Sequence, residues 1–253
     1  MTKLIRRPTT KRGTAIAIAA SVGLVGVLAF LAVYFLLFPT SSPSPFKLSA
    51  SAAASGQTSP SSTATARAGS PSATLGSRWT IAAGSQAGYR VREKLAFLPA
   101  QSDAVGRTSQ ITGGATVTAS KDTLRVTAAS FTVAVNTLTS DRSMRDERIH
   151  SIGLESDRYP TATFVLSSPV TVSLSALSGR VAHVSATGTF NIHGTSRQET
   201  VPLEMSLSGS TLQTAGALTF PWSAFNMTAP SVGGFVNVTE HATMEFDLRL
   251  TRV

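Results

Sequence analysis

Histidine is the residue type of this chain best suited to hold a metal ion or to move a proton near neutral pH. The four histidines, His150, His183, His193 and His241, are scattered, and none is paired with another histidine or a carboxylate at metal-ligand spacing. His183 and His193 also fall on the polar side of an alternating pattern. We therefore expect surface histidines and no metal site.

Other catalytic signatures are missing from the sequence. The absence of cysteine excludes thiolate catalysis, a cysteine-based zinc site and a disulfide framework. The chain has no Gly-x-Ser-x-Gly elbow, no phosphate loop and no Gly-x-Gly-x-x-Gly motif. We predict that the protein is not an enzyme and needs no cofactor.

One segment, residues 140–155, is highly charged and does not follow the alternating pattern of the sequence around it. Its arginines, above all Arg142 and Arg145, are candidates to meet a ligand headgroup at the mouth of a binding site. Between residues 141 and 148, three arginines are balanced by three acids, Asp141, Asp146 and Glu147. That balance favours a solvated, salt-bridged cap that forms a short helix or an ordered loop.

Large apolar side chains at alternate positions are the main candidates for ligand contact. They could line an internal cavity, or they could fill an ordinary core, since a small barrel can be packed solid or hold one ligand. The residues in question are Tyr89, Phe131, Val133, Phe164, Phe190, Ile192, Met205, Phe220 and Phe246.

The elements that position these side chains are predicted to be β-strands. Residues 77–253 alternate apolar and polar positions in short runs, and turn signals such as Gly113-Gly114 and His193-Gly194 separate the runs. A change of phase predicts a β-bulge near Ala129. With no long helical pattern between the runs, we expect an all-β antiparallel domain, either a barrel or a sandwich.

The N-terminal part of the chain is typical of a membrane anchor. Residues 1–13 carry five positive side chains, and residues 14–38 are apolar and uncharged over 25 positions, enough to span a bilayer. The positive head should remain in the cytoplasm, which sends the C-terminal domain to the other side. A cleaved signal peptide is the alternative, although its apolar region is normally 7–15 residues long.

Residues 39–76 consist almost entirely of Ser, Thr, Ala, Pro and Gly. This composition predicts a disordered linker between the anchor and the domain. The net charge of +9 arises mostly in the head and the linker, because residues 77–253 carry 15 basic and 13 acidic side chains. We therefore expect no nucleic-acid partner.

Two motifs in the domain carry a family resemblance. The first is the charged run Thr139-Ser140-Asp141-Arg142-Ser143-Met144-Arg145-Asp146-Glu147-Arg148-Ile149, followed by Arg158-Tyr159-Pro160-Thr161-Ala162-Thr163-Phe164. The second is Gly188-Thr189-Phe190-Asn191-Ile192-His193-Gly194-Thr195-Ser196-Arg197. Both motifs resemble the YceI family, and Trp79, Ser85 and Tyr89 fit its first strand.

The chain departs from the family near its end. Where the family often has Arg-Ser-x-Phe-Gly, this sequence reads Trp222-Ser223-Ala224-Phe225-Asn226. A ligand contact made by that arginine is therefore not expected here.

The resemblance implies a lipocalin-like, eight-stranded antiparallel barrel around an elongated apolar pocket. It also implies an apolar lipid ligand, such as a polyisoprenoid or an isoprenoid quinone. Many members of the family are exported, in agreement with a domain that the predicted anchor holds outside the cytoplasm at the cell membrane. The nine apolar residues would then form the pocket wall. A non-catalytic structural or protein-interaction domain with a solid-packed barrel remains the alternative.

Overall fold

The structure is a computed structural model, and it describes residues 42–48, 77–95, 101–177, 179–232 and 236–253. The predicted cytoplasmic head, the predicted membrane span and most of the predicted linker lie outside these residues. Within the described ranges, no helix is both long enough and apolar enough to cross a bilayer.

Strands dominate the described part of the chain, as the alternation predicted. In chain order they are β1 (Ser77–Ile81), β2 (Gln86–Leu95), β3 (Gln101–Thr108), β4 (Ile111–Ala119), β5 (Thr123–Ala134), β6 (Thr161–Leu166), β7 (Val170–Ser173), β8 (Ala182–Ile192), β9 (Thr195–Ser208), β10 (Thr211–Pro221), β11 (Ser231–Val232) and β12 (Val236–Arg252).

These strands close into an eight-stranded antiparallel barrel. The sheet runs in the order β1-β4-β5-β6-β8-β9-β10-β12, and β1 pairs with β12 to complete the circle. Three of the eight positions in the barrel are each occupied by two successive strands with a break between them. These pairs are β1 and β2, β3 and β4, and β6 and β7. The last strand, β12, is long enough to pair with β10 on one side and with both β2 and β1 on the other.

Short helical segments connect the strands. Helix α1 (Ser143–Arg148) continues into a π-helical turn (Ile149–Gly153), so the charged segment forms the short helix that its composition allowed. Helix α2 (Leu174–Leu177) follows β7. Two 3-10 turns, Val135–Thr137 and Trp222–Phe225, follow β5 and β10.

The predicted bulge is present in β5. Thr116 pairs with Ala128 but Val117 pairs with Val126, so Thr127 is the extra residue. The bulge lies slightly earlier than predicted, and Ala129 therefore faces the interior whereas Ala128 is exposed. The extra residue allows Val126 and Phe131 to share one face of the strand despite their odd separation.

The interior of the barrel contains two clusters of buried side chains. One includes Trp79, Leu177 and Leu250, and the other includes Tyr89 and Phe225. Four half-buried residues pack against both clusters: Val133, Phe164, Leu203 and Phe246. These four therefore mark the middle of the barrel, where packing is least complete.

Residues 42–48, hereafter the clip segment, lie against the outside of the barrel. The Ser42 hydroxyl donates to the Asp103 carbonyl, and the Leu48 amide donates to Glu204 Oε2 over 2.7 Å. The structure differs here from the predicted disordered linker. The composition of this segment does not show that strands far along the chain supply hydrogen-bonding partners for it.

Candidate ligand-binding site

A cavity of about 170 Å³ lies inside the barrel. Its wall is almost wholly apolar. All nine apolar residues singled out from the sequence line this cavity: Tyr89, Phe131, Val133, Phe164, Phe190, Ile192, Met205, Phe220 and Phe246. They meet there because each faces inward from a strand whose neighbours alternate outward. That they contact a ligand remains a prediction.

Several inward-facing side chains are only partly buried. Phe131, Phe164, Leu203 and Phe246 point into the barrel yet keep accessible surface, unlike Phe190, which is 4% exposed. Close-packed protein interiors contain few voids larger than a water molecule. Exposure on the inner face of a closed barrel therefore indicates a hollow interior rather than a solid core.

Glycines on neighbouring strands make room for aromatic rings along the inner wall. A Cβ atom added to Gly106 would lie 2.3 Å from Tyr89 Cε1, and one added to Gly188 would lie 2.1 Å from Phe164 Cε2. Three rings pack against glycine in this way: Tyr89 on Gly106, Phe164 on Gly188 and Phe246 on Gly216. The rings lie close to the wall, which leaves the centre of the barrel open.

Tyr89 brings a hydroxyl group into the apolar wall. Burial raises its pKa well above the ordinary value of 10, although the nearby positive charge of Arg145 opposes that rise. The Ser140 hydroxyl is close enough to influence this pKa, but no hydrogen bond of normal geometry joins the Tyr89 hydroxyl to another described residue. Burial therefore favours the neutral form of the hydroxyl.

The two arginines predicted at the mouth do not line the cavity. Arg145 donates from Nε and Nη2 to the two carboxylate oxygens of Glu93 over 3.1 and 3.0 Å, and it also pairs with Asp141. Burial alone would lower the pKa of Arg145, but the hydrogen bonds and negative charge of Glu93 raise it. Ion pairs therefore join the charged segment both within itself and to Glu93 of β2.

Glu93 explains an irregularity in the sequence pattern. It occupies an inward position of β2, where the alternation would place an apolar residue, and its side chain is 13% exposed. Its carboxylate is compensated there by Arg145. The interruption thus marks the place where α1 packs on the barrel wall.

Part of the cavity wall was not identified from the sequence. Leu138, Ile149, Leu154, Trp222 and Met227 line the cavity from loops and helical turns. Strand alternation gives no signal for such residues. An apolar residue inside the charged segment, such as Ile149, is the one indication that this segment faces the barrel.

Trp222 occupies the position at which the family pattern has arginine. It is 5% exposed, lines the cavity, and donates from Nε1 to the Thr239 carbonyl over 2.9 Å. Asn226, at the pattern's glycine, has a left-handed φ of 53°. Asparagine tolerates that conformation, so the turn is kept while the cation is replaced by an apolar ring.

The expectation of surface histidines is wrong for His193, and His150 is half-buried. His193 has a side chain 7% exposed and packs on Tyr159 with ring centroids 4.3 Å apart. It lies in the β8–β9 turn with a φ of 52°, which directs it away from the strand's polar face. His150 contacts the Ser156 hydroxyl at 2.6 Å and the Leu138 carbonyl at 3.0 Å. His183 and His241 are exposed.

No group of histidines and carboxylates suited to a metal ion occurs among the residues that the structure covers. His150 and His193 instead connect loops to neighbouring structure. His150 joins the end of the charged segment to Leu138, a residue of the cavity wall.

Comparison with known proteins gives a family match over most of the domain. The family model described as a YceI-like domain matches residues 79–250. A search of curated proteins found no significant match.

Solved structures with this fold include a polyisoprenoid-binding domain from Saccharophagus degradans, implicated in plant cell wall breakdown. It is 15% identical, with a TM-score of 0.51, over 71% of this chain and 100% of that chain. Burkholderia cenocepacia BcnA is 20% identical, with a TM-score of 0.46, over 64% and 95% of the respective chains. The Campylobacter jejuni YceI protein is 13% identical, with a TM-score of 0.38, over 51% and 73%.

Proposed function

Because this chain belongs to the YceI-like domain family, we propose that its barrel binds a lipid with a long apolar tail of the polyisoprenoid type, without catalysing a reaction. The observation that carries the proposal is the cavity of about 170 Å³, walled by apolar side chains that keep accessible surface inside a closed barrel. Apolar cavities without enough polar partners stay dry, and they take up apolar guests.

The energetics support a tail rather than a small polar ligand. Burial of one CH₂ group contributes about 0.8 kcal/mol, so two prenyl units of about ten carbons contribute about 8 kcal/mol. That gain is comparable with the cost of association, about 4–15 kcal/mol. The Saccharophagus degradans domain, described as polyisoprenoid-binding, has the same barrel fold, which is consistent with a ligand of this class.

The cavity has to adapt to a ligand of this length. A cavity of about 150 Å³ accommodates a benzene-sized guest, and the cavity here is about 170 Å³. A longer tail therefore requires ring movement, for which the half-buried Phe131, Phe164 and Phe246 are best placed.

The proposal includes attachment of the barrel to the cell membrane on the extracytoplasmic side, supported by the charge asymmetry around residues 14–38.

Fluorescence of one tryptophan can test the binding. The chain has two tryptophans, and only Trp222 lines the cavity. In purified full-length Trp79→Phe protein, a bromine-labelled geranylgeraniol should quench Trp222, and unlabelled geranylgeraniol should reverse the quenching. An apolar species should also be extractable from the wild-type protein and identifiable by mass spectrometry.

A pair of matched variants distinguishes a hollow barrel from a solid one. Val133→Phe adds a ring to the cavity wall, whereas Val165→Phe adds the same ring at a position 50% exposed on the adjacent strand. We expect quenching to be lost in Val133→Phe and kept in Val165→Phe, with similar urea midpoints. If no ligand binds the wild type and Val133→Phe loses about 1–3 kcal/mol of stability, the interior is a packed core and the proposal is wrong.

A further inference from the structure

Several outward-facing residues of the barrel are as deeply buried as its core. Glu245 and Ala215 are each 1% exposed and Val105 is 5% exposed, although each alternates with inward-facing neighbours on its strand. These residues lie on β3, β12 and β10. A row of buried residues therefore crosses the outer face of the sheet, and the groups that bury it have to be identified.

Two arginines in this row are held by one carboxylate. Glu245 accepts from Arg90 Nε over 3.1 Å and from Arg107 Nη2 over 2.9 Å. Arg90 also pairs with Asp103 at 3.2 Å. These contacts hold both guanidinium groups in place, because a planar guanidinium that is hydrogen-bonded to a carboxylate has little freedom to rotate. Their remaining donors are thus held in place to meet a further partner.

The clip segment supplies that partner through its main chain. Arg90 Nη2 donates to the Pro43 carbonyl over 2.7 Å, and Arg107 Nη2 donates to the Ser44 carbonyl over 2.6 Å. Prolines at 43 and 45 favour an extended backbone and have no N–H of their own. The segment thus presents carbonyl acceptors to a row of cationic donors.

The other half of the clip segment completes the contact. The Phe46 ring lies 3.9 Å from Arg107 Cζ, in the geometry of a cation–π contact. The same ring lines a groove with Pro202, Ala215 and Ala217 on the outside of the barrel. At the end of the segment, Glu204 accepts the Leu48 amide.

We propose that this outer face is a docking surface for an extended Ser-Pro segment, and that residues 42–48 occupy it as an intramolecular ligand. The docked segment fastens the chain to the barrel 29 residues before β1 begins at Ser77. The chain therefore meets the barrel at residues 42–48 before it reaches β1. This proposal does not depend on the identity of any lipid.

Trypsin provides a direct test, because Lys47 places a cleavage site inside the clip segment. The initial rate of cleavage at Lys47–Leu48 in the full-length protein is compared with the rate in a synthetic peptide of residues 41–50. A docked segment has to detach before it is cut. We expect cleavage in the protein to be at least about tenfold slower than in the peptide.

Two variant pairs assign the protection to the docking surface. Arg107→Gln removes a carbonyl donor and should raise the cleavage rate about tenfold. Arg92→Gln, at a side chain 57% exposed that pairs with Asp103, should leave the rate unchanged. Phe46→Ala, judged against a peptide with the same change, should also restore cleavage. Ser44→Ala, which keeps the carbonyl that Arg107 contacts, should not.

The proposal is overturned if the wild-type protein is cleaved as fast as the peptide. It is equally overturned if Phe46→Ala and Arg107→Gln both leave the protection in place. Thermal melting of each variant shows whether the barrel is folded. If the Arg107→Gln protein fails to fold, the comparison of Phe46→Ala with Ser44→Ala decides whether the segment is docked. Both of these residues lie outside the barrel strands.

Discussion

At the scale of single residues, Tyr89 combines two roles in the cavity wall. Its ring covers Gly106, and burial of its hydroxyl raises the pKa of that group. No hydrogen bond of normal geometry joins the hydroxyl to another described residue. The pH dependence of stability reports on this burial.

We predict that the stability of the protein falls as the pH rises above 10, and that Tyr89→Phe lessens the fall. In the unfolded chain Tyr89 ionises near pH 10, whereas in the folded barrel its raised pKa keeps it protonated to higher pH. The contribution of Tyr89 to the free energy of unfolding is thus fully present below pH 10. Above pH 10 it decreases by at most about 1.4 kcal/mol per pH unit. Urea unfolding of both proteins between pH 8 and 11 measures the difference. Identical slopes would show that Tyr89 is accessible to solvent.

Glu245 is the second residue whose removal should have a large effect. Replacement by Gln leaves Arg90 and Arg107 without their shared carboxylate, which we expect to lower the free energy of unfolding by about 2–3 kcal/mol. The matched control is Glu199→Gln, whose partner Arg197 is 50% exposed, and its effect should be below about 1 kcal/mol. Equal urea midpoints for the two variants would contradict the importance of the buried pair.

At the scale of elements, glycine–aromatic pairs keep the barrel hollow. Strand alternation predicts which side chains face inward, but not how far a ring extends toward the centre. That distance depends on the residue opposite, here Gly106 for Tyr89 and Gly216 for Phe246. A glycine facing an inward ring is therefore as much a part of the cavity as the ring itself.

We predict that Gly106→Ala reduces ligand uptake. The added Cβ would lie within 3.0 Å of three atoms of the Tyr89 side chain, and the ring has to tilt into the cavity. Stability should fall by about 1–3 kcal/mol, as in other overpacked interiors. Quenching of Trp222 by the brominated prenyl alcohol and the urea midpoint measure the two effects. Undiminished quenching would show that the ring can move elsewhere.

The nine cavity residues could be predicted from the sequence because strands repeat every two residues, and one correct phase identifies a whole face. The bulge in β5 could be placed only approximately, since the pattern shows a change of phase but not the extra residue. Ile149, Leu154 and Trp222 could not be identified, because they reach the cavity from turns that tertiary contacts position. The clip segment also went unrecognised. Its partners, Arg90 and Glu204, follow it in the sequence by more than forty residues.

At the scale of the whole molecule, the membrane attachment remains a prediction. Five positive side chains precede a 25-residue uncharged stretch, and the acidic residues all follow residue 76. This asymmetry predicts a cytoplasmic N-terminus and an external barrel. The clip segment begins only four residues after the end of that stretch at residue 38.

We predict that protease added to spheroplasts releases or degrades the barrel while a tag at the N-terminus remains protected. Immunoblotting for tags at both ends, before and after permeabilisation, measures the topology. A cytoplasmic protein serves as the control for intact membranes. Protection of the C-terminal tag in intact spheroplasts would reverse the predicted orientation.

The clip segment also determines which part of the barrel bears a mechanical load. A pull on the N-terminus would reach Ser42 first, and the force would pass into β3, β2 and β9 through several contacts at once. Strand β1, which closes the barrel between β12 and β4, would carry no tension until the clip segment detached. Detachment would release residues 49–76, 28 residues in all, which extend to about 95 Å before any strand is peeled from the barrel. Under such a pull the docked segment would therefore detach before tension reached β1.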